Sequence, residues 1–259
     1  MQIEALLFVN WIFWAALSAG TLLVVGATEL VGGTTRGYRL FMAGLLVVFA
    51  AILVASDLAL PPDVAASSTE GVRRPLTIAF AAGTGAYFVA SIARWPRAWL
   101  AVGTGALGLG ALVVLAAGGG TRSAPMFASQ LVLAALALGA VNAGMLLGHW
   151  YLVTPKLSPA PLQRMMWLLI GALALQGLSF GLALALVGTD PLEGGLGWLT
   201  WLRLGAGILL PIVATVLALL ATRAASLQAS TGLLYIGLAL VMAGSIAGAS
   251  LAYLTGVPV

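Results

Sequence analysis

Long apolar stretches recur along the whole chain and are interrupted by short groups of glycine, proline and charged residues. A helix needs about 20 mostly apolar residues to cross the hydrocarbon core of a bilayer. Stretches of this kind lie at residues 5–29, 39–60, 76–95, 98–118, 127–153, 164–188, 204–222 and 231–255. Backbone polar groups in lipid must be hydrogen-bonded within their own segment, so these stretches predict helices. The sequence predicts an all-α fold, a polytopic integral membrane bundle of about eight transmembrane helices.

The composition agrees with lipid as the surrounding solvent. Of the 259 residues, 62% are hydrophobic and 7% are charged, whereas soluble domains have about 25% charged residues. The chain has no cysteine, which excludes disulfides, thiolate metal sites and cysteine nucleophiles. The net charge of +4 is spread over loops, which favours basic cytoplasmic loops over nucleic-acid binding. The N-terminal apolar stretch has no basic residue before it and is interpreted as a membrane helix, not a signal peptide.

Lysine and arginine are distributed unequally between the two sides of the predicted bundle. The loops after the first, third, fifth and seventh spans carry Arg36, Arg39, Arg94, Arg97, Lys156, Arg164 and Arg223. The other side carries Arg73, Arg74, Arg122 and Arg203. The positive-inside rule predicts a multi-pass protein of the inner (cytoplasmic) membrane with both termini outside. Arg203 follows Trp198 and Trp201, so we expect it at the outer interface, extending toward lipid headgroups.

A short internal similarity suggests that the chain consists of two halves. Residues 18–23 read SAGTLL and residues 142–147 read NAGMLL, an offset of 124 that also carries the third span onto the seventh. This pattern predicts one transmembrane domain over residues 1–259, with possible repeat halves 1–120 and 125–259 in the same orientation. Chance similarity in a chain rich in alanine, glycine and leucine is the competing explanation. The small residues of GSIAGAS (244–250) predict close helix packing inside the bundle, and Pro211 predicts a kink in the seventh span.

The single histidine, His149, lies near the cytoplasmic end of the fifth span. Asn142, Met145 and His149 are spaced i, i+3 and i+7, so they share a helix face, and Trp150 and Tyr151 follow directly. An imidazole beside aromatic rings at a membrane surface suits a quinone or quinol headgroup. It also suits one axial ligand of haem b. An interfacial histidine without a cofactor, anchored by the two aromatic residues, is the third interpretation.

Two carboxyl groups lie near opposite ends of the first two spans. Glu29 is expected to pair with Arg36 and Arg39, or to act as a proton acceptor on the same membrane side as His149. Asp57 is interpreted as an interfacial cap before Pro61 or as a proton-exit group. Amide side chains within the spans are expected to form interhelical hydrogen bonds. They are Asn10, Gln130 and Gln176.

These features favour a membrane-embedded subunit of a respiratory or photosynthetic redox complex. It would anchor partner subunits and contact quinol, quinone or haem b near His149, and it would not be catalytic alone, because its loops are short and carry no catalytic motif. In helix number and size the chain looks like the eight-helix, haem-free anchor subunits that pass quinol electrons to molybdenum or iron–sulfur partners, an analogy that assigns no residue roles. The alternatives are a small transporter or channel built from two four-helix halves, and a purely structural or assembly subunit. The expected partners are the lipid bilayer and other subunits, not nucleic acid.

Overall fold

The computed structural model describes residues 3–61, 67–118, 123–154, 157–188 and 190–257. Within them the chain forms long helices and a 3₁₀ turn (Asp190–Leu192), with no strand. The helices are α1 (Ile3–Val31), α2 (Arg36–Ala59), α3 (Ser67–Ala93), α4 (Ala98–Gly118), α5 (Ala124–Val153), α6 (Ala160–Val187), α7 (Gly197–Arg223) and α8 (Leu227–Thr255). All eight are long and apolar enough to cross a membrane. The predicted all-α bundle of a multi-pass membrane protein is confirmed.

Two helices begin well before their predicted starts. α3 starts at Ser67 and contains Pro75, although residues 61–75 had the composition of a loop; of these, residues 62–66 lie outside the described part. α7 starts at Gly197, although its apolar run begins only at residue 204. In both cases the extra turns carry arginines whose charge has polar partners on neighbouring helices. A charge paired in this way is compatible with a buried helical turn.

The helices pack as two groups of four with the same order of contacts. In the first group α1 contacts α2, α2 contacts α3, α3 contacts α4, and α4 returns to α1. Helices α5 to α8 repeat this ring, and the two rings meet where α1 packs against α5. Two related halves would produce this arrangement. A duplication of residues 1–120 and 125–259 stays a prediction.

Glycines allow two pairs of helices to pack very closely. A Cβ atom on Gly20 of α1 would lie 1.8 Å from the carbonyl oxygen of Ala135 on α5, and one on Gly139 would lie 2.2 Å from the carbonyl carbon of Gly20. Helices α7 and α8 meet in the same way, because a Cβ on Gly244 would lie 2.0 Å from the Cα of Gly207. The close packing predicted for residues 244–250 is therefore confirmed at Gly244. At both crossings backbone touches backbone, as is common between membrane helices.

A π-helical turn interrupts α7 in the middle of the membrane span. It covers Gly205–Leu209, and the N–H of Leu210 donates to the carbonyl of Gly205. Pro211 follows directly and cannot donate a backbone hydrogen bond, since proline has no N–H. The widened turn is thus placed where the regular hydrogen-bond ladder is broken by proline.

The end of α7 holds an alanine in a conformation that favours glycine. Ala225 has φ +58°, and the N–H of Ser226 donates to the carbonyl of Ala221 at 2.9 Å, as in a Schellman cap. Ala225→Gly is expected to raise the free energy of unfolding in mild detergent by about 0.5–1 kcal/mol, since glycine adopts this φ without strain. Ala224→Gly is the matched control, because Ala224 has φ −80° and gains nothing. Equal destabilisation by both changes, measured by thermal unfolding, would contradict this explanation.

Candidate functional site

The residues predicted around His149 contact different parts of the bundle. His149 is exposed, and its Nδ1 lies 3.4 Å from the hydroxyl of Tyr235 on α8. Trp150 packs instead against α2, with ring centroids 6.5 Å from Tyr38 and 6.4 Å from Phe41. The imidazole therefore lies on the outside of the bundle beside α8, whereas the neighbouring indole is turned toward α2.

Three other members of the predicted site have partners inside the protein. The Asn142 side chain donates to the Thr21 hydroxyl of α1 at 3.2 Å. Met145 is buried in the central core, and the Tyr151 hydroxyl donates to the carbonyl of Ser158 at 2.8 Å. These side chains stabilise the bundle and are not gathered with the histidine around a shared cavity.

The remaining predicted residue, Glu29, belongs to a cluster of charged and aromatic side chains at the end of α1. Its Oε1 accepts a hydrogen bond from the Tyr87 hydroxyl at 3.0 Å. The Nε of Arg39 lies 3.5 Å from the same oxygen, and the Nε of Arg97 lies 3.4 Å from it. The predicted pairing of Glu29 with Arg39 is confirmed, but the second partner is Arg97 and not Arg36.

Two short turns bring four helices together at this cluster. The α1–α2 turn contains Gly32 and Gly33, whose φ angles of +81° and +98° are readily adopted only by glycine. The α3–α4 turn begins at Arg94, with φ +62°, and the N–H of Trp95 donates to the carbonyl of Ala90 at 3.0 Å. Since both turns are short, Arg39 in the first turn of α2 and Arg97 directly before α4 lie close to the end of α1.

An open cleft of about 560 Å³ lies beside the cluster, and we call it the Glu29 cleft. Its lining includes Glu29, Arg39, Arg97, Trp95 and Trp99. The two tryptophans are 63% and 75% exposed, which is typical of side chains at the membrane–water interface. The position at the helix ends makes the cleft accessible to a molecule with a polar head and an apolar tail.

The Glu29 cleft retains unused hydrogen-bonding capacity. The contacts of the carboxyl group fall on Oε1, and no side chain in the described ranges donates to Oε2. The Nε atoms of Arg39 and Arg97 are buried and face Oε1, but neither makes a hydrogen bond. Two guanidinium groups face one carboxyl group, so positive charge is in excess. The cleft thus offers an acceptor for an O–H group and a positive charge that attracts a carbonyl oxygen.

A second charged cluster is buried at the end of the bundle where the chain begins. Asp57 is 2% exposed and accepts a hydrogen bond from the indole N–H of Trp11 at 2.8 Å. Its carboxyl group also pairs with Arg73, and with Arg74 at 3.1 Å. Only its backbone fits the interfacial-cap interpretation, because the carbonyl accepts the N–H of Leu60 at 3.4 Å. The Asp57 side chain is the centre of a buried ion pair.

Arg203 lies inside the protein, which corrects its predicted position at the membrane interface. It is 3% exposed, and its Nη2 donates to the Oε1 of Gln130 at 3.2 Å and of Gln176 at 2.7 Å. Trp198 and Trp201 on the same helix are exposed, as interfacial indoles are expected to be. The guanidinium is turned away from lipid because the two amide groups provide acceptors that hydrocarbon lacks.

The interhelical hydrogen bonds predicted for amide side chains are confirmed. Asn10 of α1 donates to Ser56 of α2 at 2.8 Å, and Gln130 of α5 donates to Ser179 of α6 at 3.1 Å. Gln176 accepts its bond from the buried arginine of α7. Each bond joins neighbouring helices and helps to fix their relative rotation.

Sequence reasoning missed most of the lining of the Glu29 cleft. The available signal was the segment RWPRAW (94–99), where tryptophans and arginines crowd one span boundary. Tyr87 carries no such signal, since its partner Glu29 lies 58 positions away in the chain. Such long-range contacts depend on helix packing, which the pattern of apolar residues does not specify.

Comparison of this chain with protein-family models, with curated proteins and with solved structures finds no match. The function must therefore be argued from the Glu29 cleft and from the two buried arginine clusters. In the part of the chain that the structure describes, no three His, Cys, Asp or Glu side chains form a group that could hold a metal ion.

Proposed function

We propose that this chain is a membrane-embedded subunit of a respiratory or photosynthetic redox complex and binds quinol in the Glu29 cleft. The strongest support is that a single cleft combines a carboxylate oxygen without a donor, two guanidinium groups and two exposed indoles. A quinol headgroup has O–H groups that donate, oxygens that accept, and a ring that stacks on indoles. Its apolar tail suits the lipid beside the cleft.

Glu29 is the proposed acceptor of the quinol proton. One quinol O–H donates to Oε2, while Tyr87, Arg39 and Arg97 hold Oε1 and orient the carboxyl group. Oxidation of quinol to quinone releases two protons and two electrons. The first proton passes to Glu29 and the second to water at the cleft opening. The electrons pass to a haem or iron–sulfur centre, which we place in a partner subunit because this chain has one histidine and no cysteine.

The proposal places the Glu29 cleft on the cytoplasmic side of the inner membrane. Described arginines at this end of the bundle are Arg36, Arg39, Arg94, Arg97, Arg164 and Arg223. Lys156 and Arg122 lie outside the described residues. The positive-inside rule orients this end toward the cytoplasm and both termini away from it.

His149 is better suited to a contact with a partner than to a quinol site within this chain. It is exposed, and the Tyr235 hydroxyl is its neighbour at 3.4 Å. A haem b ligated by His149 would need a second axial ligand on its opposite face. Met145 lies one turn away on the same helix and is buried, so the second ligand would have to come from another chain.

Glu29→Gln is expected to weaken quinol binding selectively. Loss of a charge-assisted hydrogen bond should raise the Kd for a short-chain quinol about tenfold or more. The Kd for the matching quinone should change less, because a quinone has no O–H to donate and relies on the arginines. Both are measured by anaerobic isothermal titration calorimetry on the protein in phosphatidylcholine nanodiscs.

Two further variants make this test specific. Trp99→Ala removes an exposed indole of the cleft without touching the ion pairs, and it should weaken both quinol and quinone by about threefold. His149→Ala changes an exposed side chain outside the cleft and should bind both normally. Unchanged quinol affinity in Glu29→Gln, or a loss in His149→Ala alone, would contradict the proposed site.

A small transporter is the alternative function, and one observation favours it. Transporter sites are often formed where a membrane helix departs from regular geometry beside buried polar groups. The π-helical turn Gly205–Leu209 begins two residues after the buried Arg203. A transporter would carry solute flux in proteoliposomes that contain this chain alone, whereas a redox subunit would not. A purely structural subunit would show neither flux nor quinol binding.

A further inference from the structure

Each four-helix group contains a buried arginine on its third helix. Arg73 of α3 contacts Asp57 on the second helix and lies 5.0 Å above the ring of Trp11 on the first. Arg203 of α7 contacts Gln176 on the second helix of its group and Gln130 on the first. The two arginines therefore occupy corresponding places, but a carboxyl group faces the first and a neutral amide faces the second.

Among the side chains that the structure describes, none provides a counter-charge to Arg203. It is 3% exposed, and no ion pair joins it to a carboxyl group among the described residues. Two N–H donors here also have no acceptor, namely the Nε of Arg203 and the Nε2 of Gln176. An isolated buried charge is strongly unfavourable unless an opposite charge or several acceptors compensate it.

A small cavity of about 30 Å³ adjoins the guanidinium. Its polar lining comes from Arg203, Gln130 and Ser245, and the rest is apolar surface of α1, α5 and α8. A cavity needs about 10–15 Å³ to hold one water molecule. This space is large enough for a water molecule or for one monatomic ion.

The close contact between α7 and α8 keeps the arginine at this cavity. A Cβ atom on Gly207 would lie 2.6 Å from the Cα of Gly244 and 3.3 Å from the Nη1 of Arg203. Glycine at residue 207 therefore leaves room both for the helix crossing and for the guanidinium. The site is formed by packed helices and not by a surface loop.

We propose that the Arg203 site binds a single chloride ion inside the bundle. The ion supplies the negative charge that Asp57 supplies to Arg73 in the other four-helix group, and it accepts hydrogen bonds from the Arg203 guanidinium, which lines the cavity. Its role is that of a fixed counter-ion between α1, α5, α7 and α8. This inference is independent of quinol binding, because the Glu29 cleft is formed by other residues.

A binding assay with radioactive chloride tests the proposed site directly. The assay uses the purified protein in phosphatidylcholine nanodiscs that are prepared in gluconate buffer. The wild-type chain is expected to bind one chloride per chain saturably, in competition with bromide and not with gluconate. Gln176→Glu should weaken chloride binding about tenfold or more, because the new carboxylate is placed 2.7 Å from the Nη2 of Arg203 and replaces the ion as counter-charge. This change also removes an unpaired donor, so the variant should fold.

Gln163→Glu is the matched control, since it introduces the same charge on the same helix, α6, without reaching Arg203. It should bind chloride like the wild type. Absence of saturable chloride binding to the wild-type chain would overturn the proposal and leave water as the content of the cavity. Equal binding by Gln176→Glu and the wild type would overturn it too, because the ion would then lie elsewhere.

Discussion

Replacing Asp57 with asparagine is expected to lower the free energy of unfolding by about 3–5 kcal/mol, the usual cost of leaving one member of a buried ion pair without its partner. The substitution keeps the side-chain shape and an oxygen for the Trp11 N–H, so it removes mainly the charge. Arg73, at 1% exposure, would then be buried without an ion-pair partner among the residues that the structure describes. Reversible unfolding in mixed detergent micelles measures the loss.

Controls for this prediction come from the same cluster. Glu70 pairs with Arg74 at 2.8 Å, but both side chains are partly exposed, so Glu70→Gln should cost only about 0–1 kcal/mol. The double variant Asp57→Leu with Arg73→Met should recover most of the lost stability, because apolar side chains can replace a buried pair. Two results would show that the buried ion pair does not stabilise the first group of helices. One is a decrease in the free energy of unfolding of less than about 1 kcal/mol in Asp57→Asn, and the other is a double variant that is as unstable as Asp57→Asn.

Gly20→Ala is also expected to be strongly destabilising. It should lower the free energy of unfolding by about 3 kcal/mol or more. The added methyl group would overlap the backbone of Ala135, whose carbonyl oxygen lies 1.8 Å from the ideal Cβ position. Backbone cannot rotate away as a side chain can, so α1 and α5 must separate and weaken the contact that joins the two groups of four helices. Thermal unfolding and the yield of monodisperse protein report the effect.

Gly103→Ala is the matched control for this crossing. It makes the same substitution within a membrane helix, α4, but nothing lies within 4 Å of the added Cβ. The free energy of unfolding of this variant should rise by about 0.5–1 kcal/mol, because alanine has a better helix propensity than glycine. If Gly20→Ala proved as stable as Gly103→Ala, the close packing of α1 on α5 would not be essential for the fold.

The helices could be predicted from the sequence because spanning a bilayer depends on a property of each segment by itself. Length and lack of charge decide it, and they correctly located all eight spans. The predicted starts of α3 and α7 were wrong, because an arginine can be buried in a helix only if it has a partner elsewhere in the chain. Arg73 is paired by Asp57 on the preceding helix, and no local pattern reveals that pairing.

The candidate site was only partly predictable for a related reason. Glu29 and Arg39 lie close together in the chain, so their pairing could be anticipated, whereas Tyr87 and Arg97 reach the site through the packing of α3 and α4. His149 was expected to share a site with its helix neighbours. Apolar residues surround the few polar ones on every side of helix α5, however, and such a helix gives little indication of which face meets lipid.

Labelling of the protein by a photoreactive azidoquinone in nanodiscs tests the proposed quinol site most directly. The cleft at Glu29 predicts that light-induced labelling is saturable and falls on the α3–α4 turn, at Trp95 to Trp99, and on the end of α1. Excess quinol should prevent this labelling in the wild type and protect much less in Glu29→Gln. Labelling confined to α5 and α8 around His149 and Tyr235, or labelling that excess quinol leaves unchanged, would contradict the assignment.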